Sequence, residues 1–313
     1  MFLYIFKRLI LMVMSIIFVL AFTYMILSFA MYVKWTHLSN QEIFIRVWQE
    51  FKVYFMNIVN HWDFGTSSRG EDVWELIGFK LLVTMKYNIT ALLVYVPVGV
   101  FLGVLAAIKK NKLTDRIISV FSMIFNSIPS FIIIALLVIY VGYKWQLLVP
   151  QEPAYSDPFL KQLEGLIIPV TALSIGPIGK FAQMVRGEIV ENLNSDHFIL
   201  LRTKGLTRKQ AIIRHSLKDS LVTVIPDIIP TFVFVLGISF VIESLYNISG
   251  VSHLFLDSIV VQTDWFSTII IDVNVVVAIG IILYGIIMVT SLFSDILLTI
   301  IDPRIRITGK KTK

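Results

Sequence analysis

The amino-acid sequence predicts an all-α membrane protein with six transmembrane helices. Of its 313 residues, 57% are hydrophobic and only 15% are charged, and the mean hydropathy is +0.81. Soluble domains carry about 25% charged residues, and a soluble fold of this size cannot hide so much apolar surface. Charge-poor stretches of about 20 residues or more, the length that crosses a bilayer, recur six times. The alternating pattern of membrane β-strands is missing.

The predicted spans follow one another along the whole chain. They are residues 9–33, 81–108, 117–143, 166–185, 221–243 and 273–301. The first span is longer than the apolar core of a signal peptide, and no small-residue cleavage site follows it. We therefore interpret it as a retained helix, and six spans then place both termini on one side of the membrane.

The distribution of lysine and arginine predicts which side that is. One set of segments comprises 1–8, 109–116, 186–220 and 302–313, and the opposite set comprises 34–80, 144–165 and 244–272. The first set contains 18 lysine and arginine residues and the second contains 7. Because cytoplasmic loops carry the excess of these cations, we expect both termini in the cytoplasm. The same loops account for the net charge of +6, so we expect membrane lipid and no nucleic acid as a partner.

The outer segment 34–80 contains an amphipathic pattern. Ile43, Val47, Phe51 and Ile58 recur at helical spacing, with charged and polar residues between them. Such a pattern predicts a helix with one apolar face. We expect this helix to lie on the outer membrane interface or to cap the helix bundle.

The sequence lacks the patterns of an ATP-binding or catalytic subunit. The pair Gly179-Lys180 is followed by Phe181 where a P-loop needs Ser or Thr, and Ser174 replaces the first glycine. The five histidines are scattered and no cysteine is present, which argues against a zinc site or a thiol nucleophile. We therefore predict that this chain is not an enzyme, that it holds no metal, and that it binds no cofactor itself.

The longest predicted cytoplasmic loop, 186–220, carries signals for two short helices. Ser195 is an N-cap residue type before a helical run at Phe198–Lys204, and Gly205 can end that run in a left-handed conformation. Thr207 can cap the next helix, with Gln210 completing a capping box. The residues themselves leave two interpretations open, an interfacial pair bound to anionic lipid and a docking surface for a cytoplasmic partner.

Polar residues and prolines inside the spans are candidates for a pathway or gate. A carboxylate inside a membrane is costly, so Asp227 should face the pathway or a partner, or else lie at the cytoplasmic interface. Pro129 should kink the third span next to Asn126 and Ser127, which suits a cavity or a packing bend. Glu243 lies near the outer end of the fifth span and could equally be an interfacial carboxylate.

A series of short motifs resembles one family of membrane proteins. Leu201–Leu206 and Ile212–Leu217 resemble the "EAA" loop of bacterial ABC-importer permeases, and more narrowly the pattern A-K-G-L followed by I-x-R-H-A-L of the oligopeptide/dipeptide/nickel permease family. Further stretches resemble that family in the expected order. They are Tyr4–Leu9, Asp63–Ser67, Pro97–Ala107, Ser127–Phe131, Val241–Leu245 and Asp302–Arg306.

The chain also departs from the family pattern at several positions. Ile199-Leu200-Leu201 stands where the Glu-Ala-Ala that names the loop would be, and Ser249-Gly250 replaces the common Pro-Gly. The prolines usual after the loop are displaced to Pro226 and Pro230. These differences indicate a divergent member whose substrate does not follow from the family alone.

The resemblance implies a fold, a set of partners and a function. It implies the type I ABC-importer permease fold, with a permease domain over about 80–302, in a bacterial cell membrane. The implied partners are a second permease, two ATP-binding subunits that use ATP and Mg, and an extracellular or periplasmic solute-binding protein that delivers peptides. A nickel or metal-chelate importer of the same family remains an alternative, and so does a secondary transporter or structural membrane subunit.

The resemblance also implies an ATPase-coupling role for the loop 186–220. The residues expected to carry it are Phe198, Leu201, Arg202, Lys204, Gly205, Leu206, Arg208, Ile212, Arg214 and His215.

Overall fold

The computed structural model describes residues 2–259 and 271–301, and within these ranges the protein is built from α-helices. The helices, in chain order, are α1 (Phe2–Trp35), α2 (Asn40–His61), α3 (Val73–Ile108), α4 (Leu113–Ser127), α5 (Ser130–Leu136), α6 (Phe159–Asn192), α7 (Asp196–Thr203), α8 (Arg208–Ala211), α9 (Leu217–Tyr246), α10 (Val251–Ile259) and α11 (Val273–Ile301). A π-helical segment extends α5 over Leu137–Lys144, and another joins α8 to α9 over Ile212–Ser216.

The helices of the described residues account for up to six membrane spans. Five continuous helical stretches are long and apolar enough to cross a bilayer: Phe6–Lys34, Val73–Ile108, Phe159–Asn192, Arg208–Tyr246 and Val273–Ile296. The sixth candidate is the bent pair formed by α4 and α5 with its π-helical extension. The prediction of an all-α membrane protein is confirmed.

The third predicted span, 117–143, is not one straight helix. Its two halves, Leu113–Ser127 and Ser130–Lys144, meet at an angle of 98°. Proline cannot donate a backbone hydrogen bond and disfavours helical backbone in the residue before it. Accordingly, Ile128 is extended (φ −83°, ψ 123°) and Pro129 is also non-helical (ψ 134°). The kink expected at Pro129 is therefore confirmed, and it is a break between two helices.

Contacts divide the chain into two units, the first of which comprises 1–84 and 249–292. In this unit, the amphipathic helix expected in the outer segment is α2, whose buried residues are Ile43, Val47, Phe51 and Tyr54. Tyr54 stacks on Tyr24 of α1 with ring centroids 4.8 Å apart. The side of α2 that faces away from this core exposes large apolar residues, namely Phe44, Ile45, Trp48, Val53, Met56 and Val59. That second apolar side fits a position at a membrane interface.

The helix α2 starts at a capping box. The Ser39 side chain accepts the Glu42 backbone N–H, and the Glu42 carboxylate accepts the Ser39 backbone N–H at 2.9 Å. That hydrogen bond to the ionised carboxylate lowers the pKa of Glu42. The cap is therefore complete above the ordinary titration range of glutamate and is lost as the pH falls through the lowered value.

The motif Asp63–Ser67 forms a tight turn tied to the start of α11 in the same unit. The Asp63 carboxylate accepts the Gly65 N–H at 2.7 Å. Asn274 donates from its side chain to the Thr66 carbonyl at 3.0 Å, and Asp272 accepts the backbone N–H of Ser68 at 2.5 Å. Segments far apart in sequence are thus joined by hydrogen bonds that the motif alone does not predict.

The second unit comprises 85–248 and the described residues from 293 onward, and in it α3 and α6 pack at close range. A Cβ atom added at Gly103 would lie 2.7 Å from the Ala182 carbonyl oxygen, and one added at Gly99 would lie 2.7 Å from the Phe181 Cβ. Small residues four positions apart allow such approach of two helices in a membrane. Gly99 and Gly103 therefore allow α3 to pack closely against α6.

Two prolines lie inside α9, and a neighbouring helix compensates one of them. Pro230 has no N–H to offer the Pro226 carbonyl, which lies four residues earlier in the helix. The Ser294 hydroxyl of α11 donates to this carbonyl at 3.3 Å. Because an unsatisfied backbone group is costly in a bilayer, this contact lets α9 remain helical through the prolines.

Two stretches of the sequence predictions lie outside the described residues. They are the C-terminal tail 302–313, with its Asp302–Arg306 motif, and residues 260–270 of the loop 244–272.

Candidate functional site

The segment between α6 and α9, residues 193–216, contains the two short helices predicted from capping signals; we call it the α6–α9 loop. The Ser195 side chain accepts the Phe198 backbone N–H and begins α7. Thr207 and Gln210 form a complete capping box at the start of α8. The helix, glycine turn and helix expected from the sequence are therefore confirmed as structure.

The turn between these helices depends on Gly205. Its φ is +86°, and its backbone N–H donates to the Arg202 carbonyl at 3.0 Å. The Arg202 guanidinium crosses the turn and donates to the Leu206 carbonyl at 2.6 Å. Residues with a Cβ atom rarely adopt this left-handed backbone. Because of its hydrogen bond to the Leu206 carbonyl, the Arg202 guanidinium is engaged within the loop itself.

The candidate coupling residues fall into three groups by burial. Phe198, Leu201 and Ile212 are buried within the protein, although the sequence places them on a docking surface. The exposed group comprises Arg202, Lys204, Gly205, Arg208 and Arg214, and Leu206 and His215 are half-buried. Ala211 of the same loop is buried as well, so these apolar side chains pack inside the protein and anchor the loop there.

Two exposed apolar residues on α7 were missed as candidates. Ile199 and Leu200 are 55% and 52% exposed. They lie on the opposite side of α7 from Phe198 and Leu201, whose i, i+3 spacing marks one helix face. That spacing was the signal in the sequence that could have separated the buried face from the exposed one.

A cavity of about 750 Å³ lies within the second unit, beside the break between α4 and α5. Its lining comes from the break itself, from the middle of α6 and from α9. Asn126, Ser127 and Pro129, all predicted to line a pathway, are among the lining residues. Most of the remaining wall is apolar, with Leu173, Phe234, Val235, Ile238 and Val241.

The predicted residue Asp227 is joined to this cavity through Lys180. The Lys180 Nζ lies 2.6 Å from the Asp227 Oδ2 and 2.9 Å from the Thr231 hydroxyl, and both Lys180 and Thr231 line the cavity. The side chains of Lys180 and Asp227 are 42% and 29% exposed. The sequence singled out Asp227, but it did not pair it with Lys180, because these residues lie on different helices.

Glu243 is placed differently from the other pathway candidates. It is 1% exposed and does not appear among the described residues that line the cavity. The residue therefore lies in the packed interior of the second unit.

A second ion pair, which the sequence did not predict, connects α4 with α6. The Arg186 guanidinium donates to both carboxylate oxygens of Asp115, with 2.9 Å between Nη2 and Oδ2. Asp115 is 2% exposed and also accepts the Asn111 backbone N–H at 2.9 Å. A bidentate pair of this kind fixes both distance and orientation, so it holds the end of α6 that leads into the α6–α9 loop.

Among the residues that the structure describes, no group of three His, Asp or Glu side chains is placed to hold a metal ion.

Comparison with known proteins assigns the family. Residues 99–307 match the family model described as "Binding-protein-dependent transport system inner membrane component". The dipeptide transport system permease protein DppB of Lactococcus lactis is 32% identical over 83% of this chain and 81% of its own length. The oligopeptide transport system permease protein OppB of Salmonella typhimurium is 31% identical over 80% and 78%, and DppB of Bacillus subtilis is 27% identical over 82% and 79%. The matched region contains the α6–α9 loop and the cavity, and the chain therefore belongs to the family of binding-protein-dependent transport permeases of the inner membrane.

Proposed function

We propose that this chain is a permease subunit of an ABC importer and that, with a second, similar permease, it forms the translocation path for peptides. An extracellular or periplasmic solute-binding protein delivers the peptide, and two ATP-binding subunits dock on the cytoplasmic side. The peptide substrate class is supported by the relatives, which are named as dipeptide and oligopeptide transport permeases. ATP and Mg belong to the partner subunits.

The observation that carries this proposal is the position of the α6–α9 loop in the chain. The loop directly joins α6 and α9, and both of these helices line the cavity. A force applied to the loop therefore acts on two walls of the cavity at once. Rigid-body movement of packed helices is a common way in which such a force changes access to a site.

The surface of the loop fits a protein partner. Exposed apolar side chains of Ile199 and Leu200 lie on the same short helix as the exposed Arg202, and Lys204 and Arg208 follow. An apolar centre with charged residues around it is typical of protein interfaces. The excess of lysine and arginine in this loop and at the termini supports a cytoplasmic location.

Uptake by the reconstituted complex tests the proposal. The chain is purified with its second permease and ATP-binding subunits, placed in proteoliposomes that contain ATP and Mg, and supplied with binding protein and labelled di- to pentapeptides. We expect peptide uptake that needs both ATP and the binding protein. Uptake of nickel or a metal chelate in place of peptides would assign the complex to the other substrate class, and uptake by this chain alone, driven by an ion gradient, would contradict the importer mechanism.

A further inference from the structure

Lys180 gives the cavity a charge. Among the described residues that line the cavity, it is the one with an ionisable side chain, and the others are apolar or neutral polar. Its side chain is 42% exposed, and the residue is part of the wall of this space. A few polar groups placed in a mainly apolar wall are the usual features that orient a ligand.

The ammonium of Lys180 retains capacity for another acceptor. It has three N–H donors, and the structure describes two acceptors for them, the Asp227 carboxylate at 2.6 Å and the Thr231 hydroxyl at 2.9 Å. The Thr231 hydroxyl is held in place because it donates to the Asp227 backbone carbonyl at 2.8 Å. One N–H can therefore meet an incoming oxygen before the contact with Asp227 is given up.

The bond between Lys180 and Asp227 is also suited to exchange. Both side chains are partly exposed, and a second carboxylate can replace the first with the same charge and the same acceptor atoms. Lysine presents a compact charge on a flexible stem, and it does not demand the planar two-point geometry that arginine does. Such a group suits ligands that share one carboxylate and differ in everything else.

We propose that the Lys180 ammonium is a carboxylate-binding point on the translocation path, at which the C-terminal carboxylate of a peptide takes the place of Asp227. The inference rests on the proposed peptide-import function. Every unmodified peptide ends in a carboxylate that is ionised at neutral pH, whatever its sequence. The apolar remainder of the wall then contacts side chains of varied shape, and Asp227 restores a neutral pair when the peptide leaves.

The experiment compares a labelled tripeptide with its C-terminal amide in the reconstituted complete complex. The informative variant is the double substitution Lys180→Met with Asp227→Asn, because it leaves neither charge unpaired in the membrane. Its preference for the free carboxylate over the amide should fall roughly tenfold from the wild-type value, the size expected for loss of one hydrogen bond to a charged group. The binding protein is the same in every complex, so its own preference cancels in the comparison.

A matched control lies at the start of α6, where Lys161 on the helix pairs with Asp157 just before it. Lys161 pairs with Asp157 at 3.1 Å with side-chain exposures of 47% and 24%, close to those of the cavity pair, but neither residue lines the cavity. The substitutions Lys161→Met and Asp157→Asn should leave the preference at its wild-type value. The single variant Asp227→Asn removes the competing carboxylate, and it should lower the KM for the free peptide severalfold while leaving the KM for the amide unchanged.

Three results would overturn the inference. If the double variant kept the wild-type preference for the free carboxylate over the amide, the pair would only connect α6 with α9 and would not bind the peptide. A raised KM for the free peptide in Asp227→Asn would make Asp227 a substrate contact and not a competitor. A wild-type complex that imports no peptide at all would overturn the proposed function together with this inference, whereas the first two results would leave peptide import intact.

Discussion

At the scale of single residues, Gly205 and its neighbours determine whether the α6–α9 loop keeps its shape. A Cβ atom at Gly205 would meet no atom within 4 Å, so a substitution there clashes with nothing. Its cost is conformational, because φ is +86°. Which residues the turn accepts at position 205 therefore depends on how readily each adopts a left-handed backbone.

Gly205→Val should disturb the turn, and Gly205→Asn should preserve it. Valine disfavours a left-handed backbone by about 1–2 kcal/mol or more, whereas asparagine adopts it with less strain. We expect the valine variant to insert into the membrane but to lose ATP-driven uptake or ATPase association, and the asparagine variant to retain most of both. Wild-type uptake by the valine variant would show that coupling does not pass through this turn.

Adjacent leucines on α7 should respond in opposite ways. Leu200 is 52% exposed and Leu201 is 6% exposed. Leu200→Asp should weaken co-purification of the ATP-binding subunit with little effect on the melting temperature of the permease. Leu201→Ala should lower that temperature, because truncation of a buried leucine costs about 2–5 kcal/mol. Equal effects of the two leucine variants would contradict this division of faces.

Arg208→Glu should have a smaller effect than Leu200→Asp on co-purification of the ATP-binding subunit, since an exposed ion pair is worth ~0–1 kcal/mol.

At the scale of helices, the pair of Asp115 and Arg186 is a buried, bidentate link between α4 and α6. The carboxylate is buried and accepts three N–H groups, from Arg186 twice and from Asn111 once. Removal of one member of a buried pair leaves a charge without compensation. The link therefore fixes the end of α6 from which the α6–α9 loop departs.

Asp115→Asn should destabilise the protein measurably. A fully buried pair that loses one partner costs about 3–5 kcal/mol, and we expect the lower end or less because the Arg186 side chain is 30% exposed. Thermal unfolding of the detergent-purified protein measures the effect. Lys161→Met, which breaks an exposed pair, should change stability by only ~0–1 kcal/mol. An unfolding temperature for Asp115→Asn equal to that of the control would show that the pair is not a structural link.

At the scale of the whole molecule, local features could be predicted from the sequence and distant contacts could not. The caps at Ser195 and Thr207 follow from residues within three positions of each other. By contrast, Asp115 and Arg186 are 71 positions apart, and no local pattern pairs them. Pro129 predicts a kink, but the angle of 98° also depends on the helices that pack on either side. The pathway candidates near that break were predicted, while their charged neighbour Lys180 was not.

The topology of the whole chain is testable because it contains no native cysteine. Ser68 and Lys209 are both exposed and lie in segments expected on opposite sides of the membrane. A membrane-impermeant maleimide should label Ser68→Cys in intact cells or spheroplasts and should label Lys209→Cys only after the membrane is opened. The positive-inside distribution predicts this orientation, and labelling of both sites from outside would contradict it.

The ion pair between Lys180 and Asp227 has a consequence for how the protein is made. Lys180 leaves the ribosome before Asp227, so α6 reaches the membrane while its ammonium still has no counter-charge from α9. A lone ammonium opposes release into lipid, and α6 should therefore wait beside the insertion machinery until α9 arrives. Biogenesis then couples two consecutive membrane spans, and their joint release into lipid follows from where the two charges lie.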